Sequence, residues 1–162
     1  MEDLAALRSI RITGVTPARQ FAFGLDFDGA PTTIASWYNF KVWIEAFGHR
    51  VETPRINTVG RQELERLIMW VRSIGMAKQY VPPFSLDGAL FKLNAEIIDS
   101  DRFWVTLNVN DYNQVPRNFV EVCGITVLLA ADRVSLGRFA DELEETVKPN
   151  RETTSQEHIC RN

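Results

Sequence analysis

The feature that most constrains the fold is a change of hydrophobic period that occurs twice along the chain. In "QFAFGLDF" and "NFKVWIEAF" every second residue is apolar, which is typical of strands with one buried face. From Arg61 the apolar residues recur instead at the three- and four-residue spacing of a helix stripe, which ends near Gly75. The first half of the chain therefore predicts strands followed by a helix.

The second half repeats this order of elements. The stretches "GALFKLNAEII", "RFWVTLNVN" and "FVEVCGITVLLA" predict three strands, with Gly124 as a bulge in the last one. A second helical stripe follows and stops before Pro149. Two helices are too few for parallel strands, because each parallel connection needs a crossover. We therefore predict an α+β fold: a mainly antiparallel sheet of about six or seven strands, with helices at about 61–75 and 134–148 packed on it.

The length and composition indicate one folded domain. A chain of 162 residues with 45% hydrophobic content can bury a full core, and we assign this domain to residues 1–149. Residues 150–162, "NRETTSQEHICRN", have no apolar period and are predicted to be a disordered polar tail.

Charge and local hydrophobicity limit the environment and the partners that we expect. The acidic opening "MEDLAALRSI" lacks the basic and apolar regions of a secretory signal, so we expect a cytoplasmic protein. The longest apolar run, "ITVLLAA", is far shorter than the ~20 residues of a membrane helix. A formal net charge of -3 gives no general attraction to phosphate groups. We therefore expect neither a nucleic acid nor a membrane as partner.

The sequence holds little material for catalysis or metal binding. Its two histidines are too few for a multi-histidine metal site, and one lies in the polar tail. Asp26 and Asp28 lie two apart beside a glycine turn, but the further ligands of a calcium loop are absent and turn capping explains them. Asp99 and Asp101 favour turn geometry in the same way. The sequence predicts no catalytic residue, no cofactor and no metal.

Several large apolar side chains fall outside the predicted core stripes. Met69 projects to the polar side of the first helix and Trp70 to its flank. Trp43 and Trp104 alternate with polar residues along their strands. Such side chains are typical anchors for a partner protein. The alternative is that the chain covers them itself, with "MAKQYVPPFSL" folded over the first helix or a helix packed over the strands.

Four carboxylates lie on the face of the second helix that is opposite to its core stripe. They belong to Asp141, Glu142, Glu144 and Glu145. Glu144 and Lys148 have the spacing of a helix ion pair. The other carboxylates are either a solvated surface or a docking face for a basic partner. The predicted partner-binding residues are Trp43, Trp70, Trp104, Met69, Asp141, Glu142 and Glu145.

The order of elements in "QELERLIMWV", "LDGALFKLNAEI" and "FVEVCGITVLLAADRVSLGRFADEL" resembles that of small bacterial immunity and immunity-like proteins encoded beside polymorphic toxins. The resemblance covers roughly residues 38–147 and consists of apolar periodicity and turns. It implies a cytosolic protein without enzymatic activity that binds and neutralises a cognate toxin or effector. It carries over no residue roles, because these families bind through variable surfaces.

The sequence leaves other functions open. One is a small enzyme or ligand-binding domain with a pocket formed by Trp43, Asp26 and Asp28, which a concave apolar pocket with convergent carboxylates would favour. Another is a phage-type protein that sequesters a host defence component, with the same physical features as an immunity protein. Association with a second copy of the chain is also open. A flat or convex acidic and aromatic patch would favour a protein partner.

Overall fold

The structure is a computed structural model that describes residues 8–13, 21–28, 37–52, 57–86, 91–110 and 124–148. These residues form antiparallel strands and two helices, which confirms the predicted α+β class. The strands are divided between two sheets, whereas the sequence suggested a single sheet. The predicted tail at 150–162 lies outside the described residues.

The first sheet is built around its longest strand. Its members are β1 (Arg8–Thr13), β2 (Phe21–Phe27), β3 (Trp37–Ala46), β4 (His49–Glu52) and β5 (Asn57–Gly60). One side of β3 pairs with β2, which in turn pairs with β1. The other side of β3 pairs with β5 near its start and with β4 near its end. β3 is therefore the central strand of this sheet.

A two-residue turn connects β3 and β4. Phe47 and Gly48 both have positive φ, at 52° and 79°. A type I′ hairpin turn requires this conformation at both central residues, and Gly48 adopts it easily because it has no Cβ. Gly48 is therefore the residue that allows β3 and β4 to form a tight hairpin.

The second sheet follows the order of the chain, and each strand is antiparallel to the next. Its strands are β6 (Phe84–Ser85), β7 (Phe91–Ile97), β8 (Arg102–Asn110) and β9 (Gly124–Asp132). The turn between β7 and β8 is held by the Asp99 carboxylate, which accepts hydrogen bonds from the backbone N–H groups of Asp101 (3.0 Å) and Arg102 (2.9 Å). The Arg102 side chain and these N–H groups lower the pKa of Asp99. Asp99 therefore has the turn role that the sequence predicts.

The two helices begin and end within one residue of the predicted positions. They are α1 (Arg61–Met76) and α2 (Arg133–Val147). A capping box opens α2: the Asp132 carboxylate accepts from the Ser135 N–H at 2.7 Å, and the Asp132 N–H donates to the Ser135 hydroxyl at 3.3 Å. Neither helix is long and apolar enough to cross a membrane.

Replacing Asp132 by Ala is expected to lower the free energy of unfolding by about 1 kcal/mol, because the first turn of α2 loses its side-chain acceptor. Urea denaturation of the purified chain measures this change. Asp132→Asn is the matched control, since the amide oxygen still accepts the hydrogen bond. Equal losses for both substitutions would show that the negative charge, and not the cap, is responsible.

One hydrophobic cluster joins both sheets and both helices. Phe23 of β2 meets Phe139 of α2 edge to face, with ring centroids 6.0 Å apart. The Tyr38 hydroxyl donates to the Val147 carbonyl at 3.2 Å, and burial raises the pKa of this tyrosine. Predicted inward-facing strand residues that are confirmed as buried are Phe23, Leu25, Phe27, Phe40, Val42, Ile44, Leu93, Ala95, Phe103, Val105 and Leu107.

Candidate functional site

Trp70 is covered by the segment that follows α1. Its side chain is only 8% exposed, its Nε1–H donates to the Pro82 carbonyl at 2.7 Å, and its ring packs against Phe84 at a centroid distance of 5.7 Å. The prediction of Trp70 as an accessible anchor is therefore wrong. The alternative, that "MAKQYVPPFSL" folds back over this side chain, is confirmed. Both the ring and its N–H are satisfied within the chain.

The same segment leaves Met69 uncovered. Met69 is 71% exposed, and Met76 and Tyr80 are exposed as well. Tyr80 belongs to the covering segment, but its own ring stays outside the core. Met69 thus lies on the solvent side of α1, as its helical position predicts.

Trp43 lies on the face of the first sheet that is opposite to the core, as predicted, yet it is only 2% exposed. Its Nε1–H donates to Asp26 Oδ1 at 2.9 Å, and the Arg50 guanidinium lies 4.3 Å from its ring centroid. Arg50 also pairs with the carboxylates of Asp26 and Glu52. The expectation of an exposed Trp43 is wrong because this polar network and its surroundings shield the ring.

A cleft of about 380 Å³ borders Trp43. In the strand register Arg11 of β1 and Trp43 of β3 lie on either side of Gly24, so no side chain separates them on that row of the sheet. The first turns of α2 form the opposite wall. The lining residues are Arg11, Trp43, Glu45, Arg50, Ser135, Arg138 and Glu142.

The cleft differs from the pocket that the sequence suggested. Trp43 and Asp26 are together as expected, but Asp28 is exposed and does not line the cleft. The walls are charged rather than apolar, with three guanidinium groups and two carboxylates. Sequence reasoning missed Arg11 and Arg138, because they come from a strand and a helix whose juxtaposition is tertiary.

The acidic face of α2 is largely paired within the molecule. Arg72 of α1 donates to Glu144 at 2.6 Å and to Asp141 at 3.1 Å, and these two hydrogen bonds raise its pKa. Lys148 pairs with Glu145, so the predicted Glu144–Lys148 pair is wrong. Since Glu142 lines the cleft, the four carboxylates do not form one common free surface.

Trp104 is accessible on the outer face of the second sheet, where it is 41% exposed. Its cross-strand neighbours are Glu96 on β7 and Ala130 on β9, and Leu128 lies in the adjacent row. Leu128 is exposed too. We call Glu96, Trp104 and Leu128 the outer patch. Sequence reasoning missed Leu128, although its alternation with the buried Leu129 and Ala131 was a usable signal.

Another exposed tryptophan lies on the first sheet. Trp37, at the start of β3, is 57% exposed and was not singled out from the sequence. The residue directly opposite Trp37 on β5 is Gly60, which has no side chain. The residue opposite Trp104 on β7 is instead the carboxylate-bearing Glu96. Trp37 and Trp104 therefore present similar rings in different surroundings.

Comparison of the chain with protein-family models, with curated proteins and with solved structures gives no significant match. Within the described ranges, no three His, Cys, Asp or Glu side chains are grouped so that they could hold a metal ion. The geometry of the outer patch and of the cleft is therefore the basis for the proposals below.

Proposed function

We propose that this protein is a non-enzymatic binding protein of the immunity type, which acts in the cytoplasm and neutralises a cognate protein toxin or effector. The observation that carries the proposal is the outer patch. Of the three tryptophans predicted as anchors, Trp43 and Trp70 are buried and Trp104 is accessible beside an exposed leucine. A large, partly exposed indole with an apolar neighbour is typical of the central contacts of a protein interface.

The charge beside Trp104 favours a basic partner. Glu96 lies directly opposite Trp104 in the register and forms no ion pair within the described part of the chain. A lysine or arginine side chain of the partner can lie over the indole face and pair with this carboxylate at the same time. Leu128 supplies apolar contact area next to them. The patch lies on the outer face of the second sheet, and a sheet face offers a broad surface for a protein partner.

The acidic face of α2 supports this proposal less directly. A basic partner that binds Asp141 or Glu144 must compete with Arg72, and one that binds Glu145 must compete with Lys148. Exposed ion pairs contribute only about 0–1 kcal/mol each. Breaking them therefore costs a tight complex little of its binding free energy. Met69, Asp141, Glu142 and Glu145 therefore stay predicted partner-binding residues. We expect the three carboxylates to affect the rate of encounter more than the lifetime of the complex.

The test is purification of the tagged full chain from its native host, with Trp104→Ala as the variant and Trp37→Ala as the matched control. We expect one stoichiometric protein with wild type and Trp37→Ala, and its loss with Trp104→Ala. With the purified partner, Trp104→Ala should raise the dissociation rate roughly 30-fold, which corresponds to a hot spot of about 2 kcal/mol. Surface plasmon resonance measures this rate.

Two further results decide between functions. Glu96→Lys should slow association and weaken its dependence on salt, because it reverses the charge that attracts a basic partner.

The partner expressed alone should arrest growth, and coexpression of this chain should restore growth. A partner that binds Trp104→Ala and wild type equally contradicts the outer patch as the interface. A nontoxic partner with a defence role would favour the sequestering alternative.

A further inference from the structure

On one side of the cleft, beside Trp43, the charged group is a guanidinium that is already paired with carboxylates of the chain. Arg50 is held by Asp26 and Glu52 and lies against the Trp43 ring. Two carboxylates pair with this guanidinium, and one of them, that of Asp26, also accepts from the indole N–H. Trp43 and Arg50, which line the cleft, are therefore held in place by contacts within the chain.

The other charged groups of the cleft have no such partners among the residues that the structure describes. Arg11, Glu45, Arg138 and Glu142 form no ion pair within the described residues, although all four line one cavity. Arg138 and Glu142 even have the four-residue spacing at which helix ion pairs form. Two cations and two carboxylates without an ion-pair partner in the described part of the chain thus line the same cleft.

This charge pattern selects for a particular kind of ligand. A simple anion would gain from the guanidinium groups but would be repelled by Glu45 and Glu142, and a simple cation would meet the opposite problem. A molecule with both charges can pair its acidic end with a guanidinium in a bidentate manner and its ammonium end with a carboxylate. A cavity of about 380 Å³ is within the usual range for small-molecule sites.

We propose that this cleft is a binding site for a small zwitterion, a molecule of the amino-acid or short-peptide class with a carboxylate at one end and an amine at the other. Arg11 and Arg138 receive the carboxylate, and Glu45 and Glu142 receive the amine. The wall of Trp43 and Arg50 limits the length of the molecule. This proposal does not depend on the outer patch, which lies on the other sheet, and the two proposals share only Glu142.

The test is an NMR titration of the ¹⁵N-labelled full chain with three matched probes. Glycylglycine carries both charges, N-acetylglycylglycine only the negative charge, and glycylglycine amide only the positive charge. We expect glycylglycine to shift amide signals of β1, β3 and the start of α2 saturably in the millimolar range. Each blocked probe should bind at least about tenfold more weakly, because it loses one charge-assisted contact.

Variants locate the site. Arg138→Gln and Glu142→Gln should each weaken glycylglycine binding by about tenfold, whereas Arg102→Gln, an exposed arginine on the second sheet, should leave it unchanged. Unshifted signals elsewhere in the spectrum show that each variant is folded. The proposal is overturned by the absence of saturable shifts with glycylglycine, by equal binding of a blocked probe, or by unchanged binding in both cleft variants.

Discussion

Replacing Phe139 by Ala is expected to lower the free energy of unfolding by about 3–5 kcal/mol. The ring is completely buried in α2 and packs edge to face on Phe23 of β2, so its removal opens a cavity where the helix meets the first sheet. The loss has two parts: the hydrophobic free energy that burial of the ring contributed, and the cost of a cavity that collapses only in part. Denaturation by urea, followed by circular dichroism, measures it.

Val134→Ala is the control for this experiment. Val134 lies on the same helix but is exposed, so its truncation should change the stability by about 0.5 kcal/mol or less. A loss below about 1 kcal/mol for Phe139→Ala would mean that α2 does not pack on β2 in solution, and would remove one wall of the cleft with it.

Replacing Trp43 by Ala is also expected to cost about 3–5 kcal/mol, although this residue lies outside the main hydrophobic cluster. The substitution removes a buried indole together with the donor to Asp26 and the surface on which Arg50 lies. Trp43→Phe keeps an aromatic ring but loses the donor, so its expected cost is smaller, at about 1 kcal/mol. Thermal and urea unfolding of both variants give the two values.

The matched control is Trp104→Ala on the second sheet. Because Trp104 is 41% exposed, its truncation should cost clearly less than that of Trp43. Equal losses for the two tryptophan-to-alanine substitutions would show that Trp43 is a surface side chain in solution, as the sequence analysis expected. The comparison therefore separates a tryptophan that stabilises the fold from one that is available to a partner.

Local periodicity explains the parts of the fold that the sequence predicts well. Alternation in β3 and β8 identifies buried residues such as Phe40 and Val105, and helical stripes place α1 and α2 to within one residue. Shorter elements carry less of this signal. β5 has four residues and β6 has two, which is too few for a period to appear. β1 does alternate in "RSIRIT" and could have been recognised.

The candidate site depends on contacts that are distant in sequence. Trp43 is buried because Arg50 and Asp26 meet over it, and the pairing of Arg72 with Glu144 joins residues 72 positions apart. A pattern in one strand or helix reports which face a side chain occupies, but not what covers that face. This is why the position of Trp43 on the outer face was predicted correctly and its exposure was not.

In the second sheet, the residues that stabilise the fold and the residues proposed for recognition occupy alternate positions of the same strands. Phe103, Val105 and Leu107 point into the core from β8, while Trp104 points outward beside Glu96. Exchange of the outward residues leaves the packed residues unchanged, so partner preference can evolve with little loss of folding free energy. For a partner of the proposed kind, new specificities can thus arise on an unchanged core, one outward position at a time.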